Sequence, residues 1–194
     1  MVFQFLNLMS FTFKKLSLSE VILIETKSFS DDRGFFMENF KESIFIHNKI
    51  DTKFVQDNFS HSTNGVLRGL HYQKNPQAQA KLVTVLRGRI FDVAVDIRKN
   101  SPTYGKWVSE ILSEQNHKLL YIPQGFAHGF CVLSEDADVI YKVNREYSPD
   151  HEKGILWNDP ELNITWPIDK PIMSQKDLQL PFLKNADNNF EFLH

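Results

Sequence analysis

With 194 residues, 42% of them hydrophobic, the chain can bury one well-packed core, and no shift in composition marks a second domain. A net charge of −2 with acidic and basic residues interspersed argues against a nucleic-acid partner, and no apolar run approaches the roughly 18 residues of a membrane-spanning helix. The single Cys131, inside the apolar run 129–133, reads as a buried, reduced thiol, which favours the cytoplasm.

The N-terminal stretch 1–13 is apolar but has no leading basic residue and no small-residue cleavage site, so it does not read as a signal peptide. Met9-Ser10-Phe11-Thr12-Phe13-Lys14 resembles a natural start, which makes residues 1–8 an upstream extension or the product of a mis-called start codon, before a first strand over 11–16. Runs of alternating or β-branched residues then recur at 21–25, 35–40, 54–59, 81–86, 89–97, 107–112, 119–122, 127–133 and 138–144, punctuated by Gly, Pro, Asn or Asp. Many short strands predict an all-β sandwich or barrel. Helix is confined to 41–48 and a short piece near 160–163. From Pro167 the chain is polar and irregular; it is expected to pack across the barrel as far as Leu183 and to be flexible over 184–194. No G-x-G-x-x-G follows a strand, so a nicotinamide-binding unit is not supported.

Several residues stand out for their chemistry. Arg68 and His71 flank Gly69-Leu70 at a strand end, so a guanidinium and an imidazole can both point into a barrel mouth; a barrel interior rarely buries an unpaired arginine. Lys81 opens an apolar strand, where a solvated strand end is the ordinary reading. His128 lies between Phe126 and Phe130 after a Pro-x-Gly turn, and reads equally as a core histidine bonded to backbone or as a ligand contact. Alternation puts Val139, Tyr141 and Val143 on one face, though a tyrosine in a β core is usually packing. Asp177 alone is a loop aspartate.

The stretches Gly65-Val66-Leu67-Arg68-Gly69-Leu70-His71-Tyr72-Gln73 and Tyr121-Ile122-Pro123-Gln124-Gly125-Phe126-Ala127-His128-Gly129-Phe130 resemble the two half-motifs of the cupin barrel. There, G-x5-H-x-H with a following glutamate supplies three metal ligands and P-x-G-x-x-H the fourth. Here Gln73 stands where the second histidine would be, and Gln77 or Ala78 stands near the glutamate position. Two imidazoles alone do not make a closed or catalytic zinc-type site, so no metal is expected.

Further segments occur in order: Asp32-Arg33-Gly34-Phe35-Phe36-Met37-Glu38, Phe54-Val55-Gln56-Asp57-Asn58, Lys81-Leu82-Val83, Phe91-Asp92-Val93-Ala94-Val95-Asp96, Tyr141-Lys142 and Ser174-Gln175-Lys176-Asp177. With the two half-motifs they are similar to the dTDP-4-dehydrorhamnose 3,5-epimerase family over residues 11–181. The resemblance implies a single cupin-type jelly-roll domain with a few short helices, a homodimer with no metal or organic cofactor, and a nucleotide-linked 4-keto-6-deoxy sugar as substrate. It implies that His71 is the proton acceptor, Asp177 the carboxylate paired to it, Tyr141 the proton donor on the opposite face of the sugar, and Lys81 the cation near the keto oxygen. Arg33, Glu38, Gln56, Asp57, Asn58, Arg68, Gln73, His128, Glu152 and Lys176 match substrate-binding positions.

The residue types suit the chemistry. A 4-keto group acidifies the protons on carbons 3 and 5, so an imidazole can remove them if the enolate is stabilised, and a lysine in a water-poor barrel can do that. The same motifs occur in 3-epimerases and in epimerases of other nucleotide-linked 4-keto sugars, GDP-linked heptoses among them. A cupin that binds a sugar nucleotide without turning it over and a metal-dependent cupin oxygenase or isomerase are readings of a different class; the joint presence of His71, Asp177 and Tyr141 disfavours the first and Gln73 the second.

Overall fold

The computed structural model describes residues 10–192, so the extension expected over 1–8 lies outside the described residues. Eleven strands dominate: β1 (Phe11–Lys15), β2 (Ile22–Thr26), β3 (Ser28–Asp31), β4 (Gly34–Met37), β5 (Gln56–Thr63), β6 (Leu67–Gln73), β7 (Lys81–Asp96), β8 (Trp107–Ser113), β9 (Lys118–Ile122), β10 (Phe126–Val143) and β11 (Glu152–Gly154). Among the described residues helix is limited to α1 (Glu42–His47), α2 (Gln175–Leu178) and one 3-10 turn at Leu183–Asn185.

The long strands β7 and β10 are shared by two sheets. Their outer halves, 81–85 and 139–143, run beside β9, β2 and β1 on one side and β5 on the other; their inner halves, 89–95 and 126–132, run beside β8 and beside β6 and β11. This is the expected jelly-roll barrel. The sequence breaks near residues 87–88 and 134–137 divide each strand into two runs, but they are bends within continuous strands. At the bend Gly88 has φ +78, and a Cβ there would lie 2.1 Å from the Asp136 carbonyl oxygen, so only glycine lets β7 turn the corner.

Three apolar clusters explain why β7, β9 and β10 read as nearly continuous hydrophobic runs. Val83, Val85, Ile90, Ala94, Leu120, Phe130 and Val139 fill the barrel between the sheets. Ile24, Leu82, Leu119 and Tyr121 face outward beneath Phe45 of α1. Tyr72, Val93, Val95, Ala127 and Cys131 face outward on the other side, beneath Trp166, Leu183 and Phe190 of the C-terminal segment. Strands buried on both faces lose their polar alternation.

Three expectations need correction. The helix placed near 160–163 is a turn, because the Asp159 carboxylate accepts the amides of Glu161 and Leu162 at 2.8 and 3.4 Å. The run expected over 35–40 is half of the β3–β4 hairpin and ends at Met37, and neither β3 nor β11 was anticipated. Packing of the tail does not stop at Leu183: Phe190 is buried against Tyr72, Asn188 Nδ2 donates to the Ile97 carbonyl, the Lys99 amide donates to the Phe190 carbonyl and the Phe192 amide to the Lys99 carbonyl, both at 2.9 Å. The flexible tail expected over 184–194 is therefore replaced by a strap that closes the second outer face through residue 192.

Candidate active site

The glycines of the two half-motifs set the distance between β6 and β10. Gly69 has φ +122, and a Cβ there would lie 2.6 Å from Gly129 Cα; a Cβ on Gly129 would lie 2.8 Å from the Arg68 carbonyl oxygen. Neither position accepts a side chain. The resulting backbone contact makes His71 and His128 cross-strand partners, just before a bulge between His128 and Phe130.

The carboxylate beside His71 comes from far along the chain. Ile172 bridges to Val66, its amide donating to the Gly65 carbonyl at 2.9 Å and its carbonyl accepting from Leu67 at 3.0 Å. Ser174 then caps the short α2 by accepting the Asp177 amide at 3.1 Å. This places Asp177 Oδ1 2.8 Å from His71 Nε2, with Oδ2 3.4 Å from the Gly69 amide. Burial pushes the Asp177 carboxyl up, but its bonds to His71, Gly69 and Ser174 and the His71 charge hold it below the usual carboxylate range.

His71 lines a cavity of about 530 Å³ together with Arg68, Lys81, His128, Tyr141, Glu152, Lys176 and Asp177. A side lobe of about 110 Å³ shares His71, Lys81, Tyr141 and Glu152 and adds Gln56, Asn58, Gln73 and Tyr147. Tyr141 enters from the half of β10 that belongs to the sheet opposite β6. Burial raises its phenol above the ordinary value, opposed by the charge of Arg68 and reinforced by that of Glu152. Lys81 is not a solvated strand end but is buried, with Nζ 5.9 Å from the centre of the Tyr141 ring. Burial brings its ammonium down to about 8, against the pull of Asp92 and Glu152.

Most of the anticipated residues meet here, but four are placed differently. Asp57 alternates away from Gln56 and Asn58 on β5 and pairs outside the cavity with Lys142 at 2.9 Å. Arg33 and Glu38 lie on and just after the β3–β4 hairpin, bonded to Asp31 and Lys41 respectively, and neither lines the cavity. Gln73 borders the side lobe, but its amide is engaged by backbone: Nε2 donates to the Gln77 and Glu146 carbonyls at 2.8 and 3.2 Å, and Oε1 accepts from Ser148 at 2.8 Å. That engagement and the pairing of each imidazole with its own carboxylate leave no donor set that fits a cupin-type metal; among the described residues no group of three His, Cys, Asp or Glu is placed to hold one.

Sequence reading missed Asp92, whose oxygens lie 2.9 and 3.1 Å from His128 Nε2. A charge inside the apolar run 90–95 was the available signal. It also missed the continuation of the Gln56 and Asn58 row along the inner face of β5, where Ser62 accepts from Arg68 Nε at 2.9 Å and the buried Ser60 hydroxyl borders the cavity with no protein partner. Tyr147 was the third omission; its hydroxyl donates to Glu152 at 2.6 Å and its amide to Gln56 at 2.9 Å.

The family model described as dTDP-4-dehydrorhamnose 3,5-epimerase matches residues 15–185. A dTDP-4-dehydrorhamnose 3,5-epimerase of Shigella flexneri is 53% identical over 176 residues, 89% of this chain and 96% of that one. A crystal structure of dTDP-6-deoxy-D-glucose-3,5-epimerase from Legionella pneumophila in complex with dTDP-4-keto-L-rhamnose superposes with a TM-score of 0.88 at 47% identity, over 91% of this chain and 95% of that one. The Bacillus anthracis dTDP-4-dehydrorhamnose 3,5-epimerase with TDP and PPi bound gives 0.87 at 48% identity, over 89% and 99%. The chain belongs to the dTDP-4-dehydrorhamnose 3,5-epimerase family of isomerases.

Proposed function

We propose that this single-domain enzyme epimerises carbons 3 and 5 of dTDP-4-dehydro-6-deoxy-D-glucose, yielding dTDP-4-dehydro-L-rhamnose, with His71 as base and Tyr141 as acid. The observation that carries the reading is one cavity lined by His71 of one sheet with its partner Asp177, by Tyr141 of the other sheet and by Lys81. Its relatives are named for this reaction, and two of their crystal structures hold dTDP-4-keto-L-rhamnose or TDP.

Because His71 Nε2 faces Asp177, proton abstraction falls to Nδ1, the remaining ring nitrogen. The carboxylate fixes the tautomer and stabilises the imidazolium formed when the sugar C–H bond breaks. The electron pair moves onto the 4-keto oxygen, where the Lys81 ammonium stabilises the enolate. Reprotonation from the Tyr141 hydroxyl on the other face of the ring inverts the carbon; once His71 has released its proton to solvent and Tyr141 has taken one from solvent, a second pass inverts its neighbour across the ketone. Arg68, braced by Ser62, and Lys176 supply cations for the diphosphate; Gln56, Asn58, His128 and Glu152 contact the rest of the substrate.

The enzyme works as a cytoplasmic homodimer. The exposed Phe29, Phe35 and Phe36 of the hairpin and Phe59 of β5 supply apolar surface that a second copy would cover, and the hairpin would carry Arg33 and Glu38 toward the partner's cavity. The unpaired, buried Cys131 suits a reducing compartment.

Incubation with dTDP-4-dehydro-6-deoxy-D-glucose in deuterated water, followed by NMR of the sugar, tests the reading. Deuterium is expected at both carbons. Incorporation at carbon 3 alone would make the chain a 3-epimerase, and no incorporation would overturn the proposal.

A further inference from the structure

Asp92 is a carboxylate at 0% exposure that the reaction above does not use. It occupies an inward position of β7 between Ile90 and Ala94, both members of the apolar barrel core, where an isolated charge is strongly disfavoured. Its hydrogen-bond partner is His128 Nε2, at 2.9 and 3.1 Å from its two oxygens. His128 is buried as well. Burial pushes its imidazole below the ordinary value, as do the charges of Lys81 and His71, against the pull of Asp92. The ring orients the carboxylate through the Nε2 hydrogen bond, and His128 itself lines the cavity that Lys81 also lines.

Lys81 lines the cavity with Tyr141 and His128 from β10, Arg68 and His71 from β6, Glu152 from β11 and Lys176 and Asp177 from α2, and Asp92, bonded behind His128, acts on it through its charge. Two carboxylates pull on its ammonium. Glu152 is engaged by the Lys176 ammonium and the Tyr147 hydroxyl, so its field is largely answered elsewhere. Asp92 is bonded to an imidazole whose charged form burial disfavours, and it is the stronger of the two influences on Lys81. We propose that Asp92, oriented by His128, is a positioning residue that keeps Lys81 cationic where the keto oxygen binds, an inference that rests on the role given to Lys81 above.

The charge of Lys81 can be followed without turnover, by the pH dependence of its side-chain NMR signal in lysine-labelled enzyme, assigned by loss of that signal in Lys81→Arg. The wild-type midpoint is expected near 8. Asp92→Asn keeps a group that can bond His128 but removes the charge, and should lower the midpoint by about one unit or more. His128→Gln, whose amide can still donate to Asp92, should leave it within a few tenths of a unit. An unchanged midpoint in Asp92→Asn overturns the proposal; so does a wild-type midpoint well below 7, which needs no variant to fold. The deuterium exchange rate separates the two levels of inference. A lowered Lys81 midpoint in Asp92→Asn with undiminished exchange above that midpoint would uphold the role of Asp92 and overturn that of Lys81 in stabilising the enolate.

Discussion

His71 and His128 are cross-strand partners on β6 and β10, yet each ring is claimed by its own carboxylate, Asp177 at 2.8 Å and Asp92 at 2.9 Å. The side chains differ in access: that of His71 is 29% exposed and that of His128 6%. One pair can therefore exchange protons with a ligand, while the other is built into the core.

That difference predicts opposite consequences for the same substitution. His71→Ala should lose at least the roughly 100- to 10,000-fold that a positioned base contributes, in both deuterium exchange and epimerisation, with a smaller loss of stability than His128→Ala, because Asp177 keeps the Gly69 amide and borders the open cavity. His128→Ala leaves Asp92 buried without its donor and should cost about 3 kcal/mol in denaturant unfolding. Similar stability losses in the two variants would refute this division.

Backbone contact between Gly69 and Gly129 is what brings the two pairs together. Gly129→Ala would force a Cβ to within 2.8 Å of the Arg68 carbonyl, so β6 and β10 must separate. The expected cost is about 1–3 kcal/mol, with a fall in kcat beyond what the lost folded fraction explains, because His71 moves with β6. Undiminished kcat in a variant that remains folded would mean the site tolerates a shift of the strand.

Much of the barrel was legible because turn residues bound its strands and the two cupin half-motifs stand in order. What escaped reading has physical causes. Strands buried on both faces carry no period-2 signal, so β7 and β10 looked like four strands with breaks at residues 87–88 and 134–137. The partner of His71 is 106 positions away and arrives through the Val66–Ile172 bridge, a contact that no local pattern encodes; only the family resemblance pointed to Asp177. Asp57 was misplaced because it sits inside a matching motif, yet strand alternation turns it outward between two residues that face the cavity.

The state of Lys81 sets a limit on activity at high pH. Its ammonium, brought to about 8 chiefly by burial, is the form that stabilises an enolate, and this form predominates below that value. Turnover should therefore fall as pH rises through about 8, with a slope approaching tenfold per pH unit above it. Lys81→Gln should be slow at every pH and lack this limb. A limb of the same position in Lys81→Gln would assign it to another group.

Tyr141 provides the sharpest test of the mechanism, because acid and base act on opposite faces of the sugar. Removing the base stops proton abstraction, whereas removing the acid leaves an enolate that can still form and take its proton back from the side it left. Tyr141→Phe keeps the ring that packs against the barrel core and lies near Lys81, and deletes only the hydroxyl. Washout of substrate protons into deuterated water is expected to persist in this variant while the yield of inverted product falls by about 100-fold or more, the contribution of a positioned general acid. The two rates come from one NMR time course, since exchange with retention and exchange with inversion give different sugars. Equal loss of both rates, in protein with the wild-type unfolding midpoint, would show that Tyr141 is not the opposite-face acid and would leave inversion to a donor other than this phenol.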